Sequence, residues 1–191
     1  MRVVAGTARS ILLEAPEGKD TRPTTDRIKE TLFNVIQGYT AEARVLDLFA
    51  GSGALGIEAL SRGAESACFV DNAREPIRCI TGNVKRAGLS DRSEILQCDF
   101  MSAIVRLKAK GRQFDLVFID PPYGKGLETD SIAALISSGL LDDGCLVVVE
   151  ESINHNPEDL FSLGLETVKV KKYKTNQHYF LRFNKEDNGE N

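Results

Sequence analysis

A chain of 191 residues, 42% hydrophobic and 27% charged, has room for one full globular core and a small appendage. No run is long and apolar enough to cross a bilayer, and Met1-Arg2-Val3-Val4-Ala5-Gly6 breaks too early for a signal peptide, which places the chain in the cytoplasm. The net charge of −4 excludes a polyanion partner only if charge is spread evenly, and here it is not. Lys169, Lys171, Lys172 and Lys174 cluster without an acid, Arg106, Lys108, Lys110 and Arg112 form a second basic run, and acids collect in the last six residues, which read as a disordered tail.

Met1 to Ala5 and Ser10 to Glu14 are expected to pair as a small hairpin around Gly6-Thr7-Ala8-Arg9. A polar stretch follows, then a helix over 28–36 capped by Thr25 or Asp26. Arg44 to Phe49 reads as a buried strand ending in Gly51-Ser52-Gly53, and Ala54 to Ser61 as a helix stopped near Gly63. Further strands are expected at Ser66–Asp71, Ser93–Gln97, Phe114–Asp120 and Cys145–Glu150. Between them lie helices at Glu75–Ala87, Met101–Ala109 and Asp130–Ser138. Phe114–Asp120 is the most apolar and reads as central. Glu166–Lys172 and His178–Phe183 alternate polar and apolar residues, as an antiparallel pair does. This order predicts an α/β fold: a mostly parallel sheet with an antiparallel C-terminal edge, and ligands at the carboxyl ends of the strands. The expected partition is an extension over 1–40, a main domain over 41–184, and a tail over 185–191.

The four cysteines are scattered and read as reduced, partly buried thiols, and the two histidines, His155 and His178, lie too far apart in sequence to suggest a metal site. No metal is expected.

Gly51-Ser52-Gly53-Ala54-Leu55-Gly56 fits the dinucleotide fingerprint and sits between a strand and a helix. Its neighbours argue for another ligand. Asp47, just before the loop, would oppose a pyrophosphate and suits a cation. Asp71 ends the second strand, where an acid can bind ribose hydroxyls, and Asp99 follows the third, where a carboxylate can accept from an adenine amino group. One such Asp could be a helix cap or turn residue. Three at successive strand ends fit an adenosyl ligand with a cationic tail, S-adenosylmethionine. Phe49, Ala50, Gly51, Ser52, Gly53, Asn72 and Phe100, adjoining these acids, complete the core of the candidate cofactor set. The segment Val45 to Gly53 also resembles the first motif of class I methyltransferases.

Asp120-Pro121-Pro122-Tyr123 follows the most apolar strand. Two prolines stiffen the loop and leave carbonyls unpaired by local donors. An exocyclic amino group is a weak nucleophile because its lone pair is delocalised into the ring. Accepting its two N–H bonds on the Asp120 carboxylate and the Pro121 carbonyl would push it toward a tetrahedral, reactive geometry. Tyr123 could stack on the base, at about 1–3 kcal/mol, and all four residues form the candidate catalytic set. A rigid turn with an aromatic staple is the alternative use of such a string. The tetrapeptide resembles the fourth motif of amino-group methyltransferases, and Asp in first position points to those acting on nucleobases.

Arg22-Pro23-Thr24-Thr25-Asp26-Arg27, with Lys29 to Asn34 after it, is the most specific string. Together with the Ala50 to Gly63 stretch and Asp120 to Tyr123, it resembles the 16S ribosomal RNA guanine-N2 methyltransferases called small-subunit methyltransferase D, over nearly the whole chain. The resemblance implies methylation of one guanine amino group in small-subunit RNA, on an assembled or protein-bound particle; a monomer is the default expectation for a chain of this size. It also implies that the segment from Thr25 to Asn34, with Thr25 and Phe33 as its cofactor contacts, closes over the methionine end of the cofactor, while Leu32, Phe33 and Ile36 can equally serve a core. The family's hairpin is rich in Arg and Lys; here the stretch Gly6 to Leu13 keeps only Arg9, with Arg2 before it. The candidate RNA contacts are therefore Arg2, Arg9, Arg22 and Arg27, joined by Lys169, Lys171 and Lys172. A DNA adenine-N6 methyltransferase and a non-catalytic RNA-binding scaffold are the competing readings.

Overall fold

Runs of branched and aromatic residues set the strands, and glycines stop the helices between them. The computed structural model describes residues 1–16, 26–122, 124–154 and 158–185. Thr25, Arg22, Tyr123, His155 and the tail from 186 lie outside those residues. The chain divides into two compact units, Met1–Phe100 and Met101–Asn191.

The first unit opens with a hairpin whose one ladder bridge joins Arg2 to Leu12. Its cross-strand bonds run from Val3 N–H to the Ile11 carbonyl and from Leu13 N–H to the Met1 carbonyl, both 2.9 Å, and from Ser10 N–H to the Val3 carbonyl at 2.8 Å. Helix α1 spans Asp26–Val35. Strands β1 (Arg44–Asp47), β2 (Ser66–Asp71) and β3 (Ser93–Gln97) pair in parallel, with β2 in the middle. Helices α2 (Ala54–Ser61) and α3 (Arg74–Arg86) connect them. Val45 and Leu46 of β1 and Ala67 to Val70 of β2 are all buried, the continuous apolar pattern of strands covered on both faces. Strand β1 ends two residues earlier than its apolar run, because Leu48 and Phe49 already turn into the glycine loop. A Cβ placed on Gly56 would lie 2.3 Å from the Phe69 ring, so glycine is what lets α2 lie flat on β2.

Helix α4, Phe100–Ala109, begins on the last residue of the first unit. In the second unit β4 (Phe114–Ile119) and β5 (Leu141–Ser152) are parallel, with α5 (Leu127–Ser138) between them in sequence. A short α6 (Glu158–Phe161) precedes β6 (Glu166–Lys172) and β7 (Asn176–Arg182). Strand β7 pairs antiparallel with both β5 and β6, which leaves β6 outermost of these four. Strand β5 runs longer at both ends than its apolar centre: Leu141 pairs with Phe114 of β4 at one end, and at the other the ladder with β7 continues through Glu150, Glu151 and Ser152. Residues Asn176 to Leu181 of β7 are buried while most of β6 is exposed. Among the described residues no helix is long and apolar enough to cross a membrane.

Candidate active site

In the first unit the carboxyl ends of β1 and β2 are tied to the glycine loop by side-chain bonds. Asp71 accepts the Gly51 N–H at 3.0 Å on one oxygen and the Ala73 N–H at 2.9 Å on the other. Ala50 N–H reaches the Val70 carbonyl at 2.9 Å, fixing the start of the loop to β2. On the far side, Asn83 of α3 donates to the Ser52 carbonyl at 2.9 Å. Gly51 and Gly53 hold φ of 55° and 75°, and a Cβ on Gly51 would meet nothing within 4 Å, so a ligand can approach that backbone closely. The loop is preorganised and its Gly51 face is open.

Asp47 is 3% exposed and accepts the Gly56 N–H at 3.1 Å. Burial pushes its carboxyl up to about 7; the like charge of Asp71 adds to this, and the Gly56 bond works against it. A cation arriving beside it would relieve both penalties, and this is the form in which Asp47 fits an ammonium-bearing ligand. Phe49 and Phe100 are half-buried with ring centroids 5.8 Å apart; Asp99, just before Phe100, and Asn72, just after Asp71, are exposed. The unit thus brings three carboxylates, an open glycine loop and an aromatic pair to the ends of its strands, groups whose chemistry fits S-adenosylmethionine.

Phe33 is fully enclosed, with the Arg62 guanidinium 4.9 Å from its ring centre. It packs in the core, one of the two uses its sequence allowed. Around it lies a polar hub that the sequence reading missed. Lys29 and Glu58 are both wholly buried and 3.1 Å apart. The Glu58 carboxylate also accepts Val4 N–H at 2.8 Å, Ala5 N–H at 3.0 Å and Arg62 Nε–H at 2.8 Å. Lys29 donates back to the Arg2 carbonyl at 2.5 Å. The one available clue was an acid inside the apolar helix Ala54–Ser61, which costs several kcal/mol to bury unless partnered. Asn83 makes a second fastening, with its amide exchanging two 2.8 Å bonds with the backbone of Glu14.

In the second unit Asp120 follows the last residue of β4 and is half-buried, Pro121 is buried and Pro122 exposed. Of the candidate RNA contacts, Arg9 and Arg27 are exposed, whereas Arg2 pairs with Asp26 at 3.3 Å. Lys169 and Lys172 project from the outer strand β6, with Lys171 half-buried between them.

Residues 1–182 match the family described as Conserved hypothetical protein 95. The Ribosomal RNA small subunit methyltransferase D of Escherichia coli K12 is 36% identical over 155 residues, 81% of this chain and 76% of the relative. The protein of the same name from Haemophilus influenzae is 33% identical over 93% of this chain and 94% of its own length. Among solved structures, the Escherichia coli protein yhhF superposes with a TM-score of 0.82 at 31% identity, covering 96% of this chain and 98% of that one.

Proposed function

The chain belongs to the Conserved hypothetical protein 95 family, that of the Ribosomal RNA small subunit methyltransferase D proteins, and on that premise we propose that it methylates the exocyclic N2 of one guanine in 16S ribosomal RNA. S-adenosylmethionine is the cofactor and supplies the methyl group. Asp71 takes the ribose hydroxyls, Asp99 the adenine amino group and Asp47 the ammonium end, around the backbone of residues 49–53 with Asn72 and Phe100. Thr25 and Phe33 belong to the segment that shields the methionine end.

The Asp120 carboxylate and the Pro121 carbonyl accept the two amino hydrogens, holding the nitrogen lone pair out of the ring, while Tyr123 stacks on the flipped base. The single observation that carries this reading is the bond from Gly51 N–H to Asp71, which fixes an acceptor for a ribose against an open glycine backbone. Arg9, Arg27, Lys169, Lys171 and Lys172 hold RNA phosphates with Arg22, and Arg2 acts mainly through Asp26. The functional partition is an extension over 1–40, a methyltransferase domain over 41–184 and a short segment after it. The enzyme works in the cytoplasm as a monomer, on RNA already bound by ribosomal proteins.

The test is methyl transfer from labelled S-adenosylmethionine to small subunits from a strain lacking the enzyme, followed by nucleoside identification and mapping. N2-methylguanosine at one site, lost by a factor of about 10²–10³ or more in Asp120→Ala, is the expected result. Label in N6-methyladenine of a DNA control would transfer the chemistry to another substrate. Cofactor binding without transfer to either would favour a scaffold.

A further inference from the structure

The second unit carries a polar cluster that the reaction as described does not use. Parallel pairing of β4 with β5 sets Ile119 opposite Val149, so Asp120, the first residue past the end of β4, follows in register beside Glu150, where β5 continues. Antiparallel pairing then sets Glu150 opposite His178 and His178 opposite Lys171. Residues on one rung share a face of the sheet. Glu150 therefore stands on the same face as Asp120, one strand over, about 4.7–4.9 Å away along the hydrogen-bonding direction.

Glu150 is also held. Asn176 donates to one carboxylate oxygen at 2.6 Å, and His178 Nε2 lies 2.9 Å from the other. A carboxylate accepts there, which makes Nε2 the protonated nitrogen. His178 is fully buried and Asn176 8% exposed, whereas the Glu150 side chain keeps 14% of its surface open. The Tyr173 ring meets His178 edge-on, with centroids 5.0 Å apart. Its hydroxyl and His178 Nδ1 are both buried without a hydrogen-bond partner among the described residues. Burial, then the charge of Glu150, holds the Tyr173 phenol above its usual range, so it stays a neutral donor facing that carboxylate.

Fixing a carboxylate at the end of the buried run Leu146 to Val149 is expensive if its only task is to hold His178, since apolar residues would fill the same space. A carboxylate oxygen can accept more than one hydrogen bond. Guanine presents two adjacent donors on its Watson–Crick edge, the N2 amino group and N1–H. Adenine has a bare lone pair at N1, beside its own amino group. Two acceptors one strand apart complement the first pattern and repel the second.

Building on the guanine reading above, we propose that Glu150, braced by Asn176 and His178, is the specificity-determining residue for the base, accepting N1–H while Asp120 takes the neighbouring amino group. His178 and Asn176 are positioning residues in this scheme.

The experiment uses the full chain and small subunits reconstituted with guanine or with 2-aminopurine at the mapped position. 2-Aminopurine keeps the N2 amino group but carries a lone pair at N1. Its kcat/KM relative to guanine, measured for the parent, Glu150→Gln and Glu150→Ala, is independent of the folded fraction of each preparation. The parent strongly prefers guanine. In Glu150→Gln the amide can donate to a bare N1, and the preference shrinks by about 10²-fold or more. Glu150→Ala loses preference without gaining on 2-aminopurine. An unchanged ratio, or equal losses on both substrates, overturns the proposal and leaves the guanine reading intact. A parent enzyme that methylates another base instead overturns both.

Discussion

The two hairpins of this chain look alike in sequence and are built on opposite principles. The first, from Met1 to Glu14, has a single ladder bridge of its own, and a two-stranded ribbon of that size is marginal in water. It is held from outside: its Val4 and Ala5 amides end on Glu58, Ala8 N–H on the Ser61 hydroxyl at 2.9 Å, and Glu14 on Asn83. Val3, Ala8 and Leu13 are buried. The last hairpin is held by its own backbone, since β7 pairs on both sides and β6 hangs from it. The first is fastened by buried charges beneath it, Lys29 of α1 and Glu58 of α2; the last carries its lysines on the mostly exposed strand β6. Lysine on an outer strand also discourages edge-to-edge pairing, so stability and RNA contact ask for the same residues there. On the proposed function, the weakly basic first hairpin and the lysine-rich last one divide the labour of support and phosphate contact between them.

The contrast can be broken most forcefully at Lys29. Replacing it by Met leaves the Glu58 carboxylate buried with its amide and Arg62 partners but without its ammonium. The expected loss is about 3–5 kcal/mol in urea-induced unfolding, the usual cost of removing one partner from a buried pair. Lys169→Met, on the last hairpin itself, should change stability by less than about 0.5 kcal/mol. Equal effects would mean that the inward and outward charges are energetically alike.

Asp47 supplies the counter-case, an acid in the same unit that is buried beside a like charge. Its unfolded carboxyl ionises near 3.8, while the folded one holds its proton to about 7. The folded state binds more protons across that window, so stability falls as pH rises from about 4 to 7 and stays low above it. The ceiling on this loss is about 4 kcal/mol, from roughly three pH units at 1.36 kcal/mol each. Asp47→Asn keeps an oxygen for the Gly56 N–H and removes the penalty. It should melt several degrees above the parent at pH 8 and level with it near pH 4, while binding S-adenosylmethionine more weakly. The same melting difference at both pH values would show that the carboxylate is not the source.

Gly6 tests the seam of the first hairpin. With φ of 81°, a Cβ there would lie 1.8 Å from the Ser61 carbonyl oxygen, which accepts the Thr7 N–H at 2.8 Å. Gly6→Ala must lift the ribbon off α2 or strain it, at about 2–3 kcal/mol. Hydrogen exchange at Val4 and Ala5, whose amides end on Glu58, should accelerate far more than exchange in β7.

What the sequence made legible follows the range of the interactions involved. Helix Ala54–Ser61 and strands Ser66–Asp71, Ser93–Gln97 and Glu166–Lys172 have the expected bounds, since local periodicity and flanking stops define them. Strand β5 outran its apolar centre because its polar end is set by pairing with β7, which no local pattern encodes. The glycine loop with Asp47 stands out in sequence because it is contiguous, and Asp71 and Asp99 because they fall at or just past the ends of apolar runs that do form strands. Lys29 with Glu58, Asn83 with Glu14, and Glu150 with His178 were not, because each joins residues far apart in the chain through single side chains. A buried Lys in α1 looks in sequence like any solvated helix charge until its partner is placed.

The smallest stability effect, and the sharpest functional one, is expected on β6. Changing Lys169, Lys171 and Lys172 together to Gln removes three positive charges from an outer strand that is mostly exposed, and the fold should lose little, because β7 keeps its ladder with β5. RNA affinity should fall, and with it the salt dependence. If each lysine neutralises one phosphate, the slope of log affinity against log salt becomes shallower by about 2, from roughly 0.7 per contact on single strands. Arg9→Gln, on the first hairpin, should change that slope by less than 1. A slope that responds to Arg9 and ignores the three lysines would reverse the division of labour and return RNA contact to the amino-terminal ribbon.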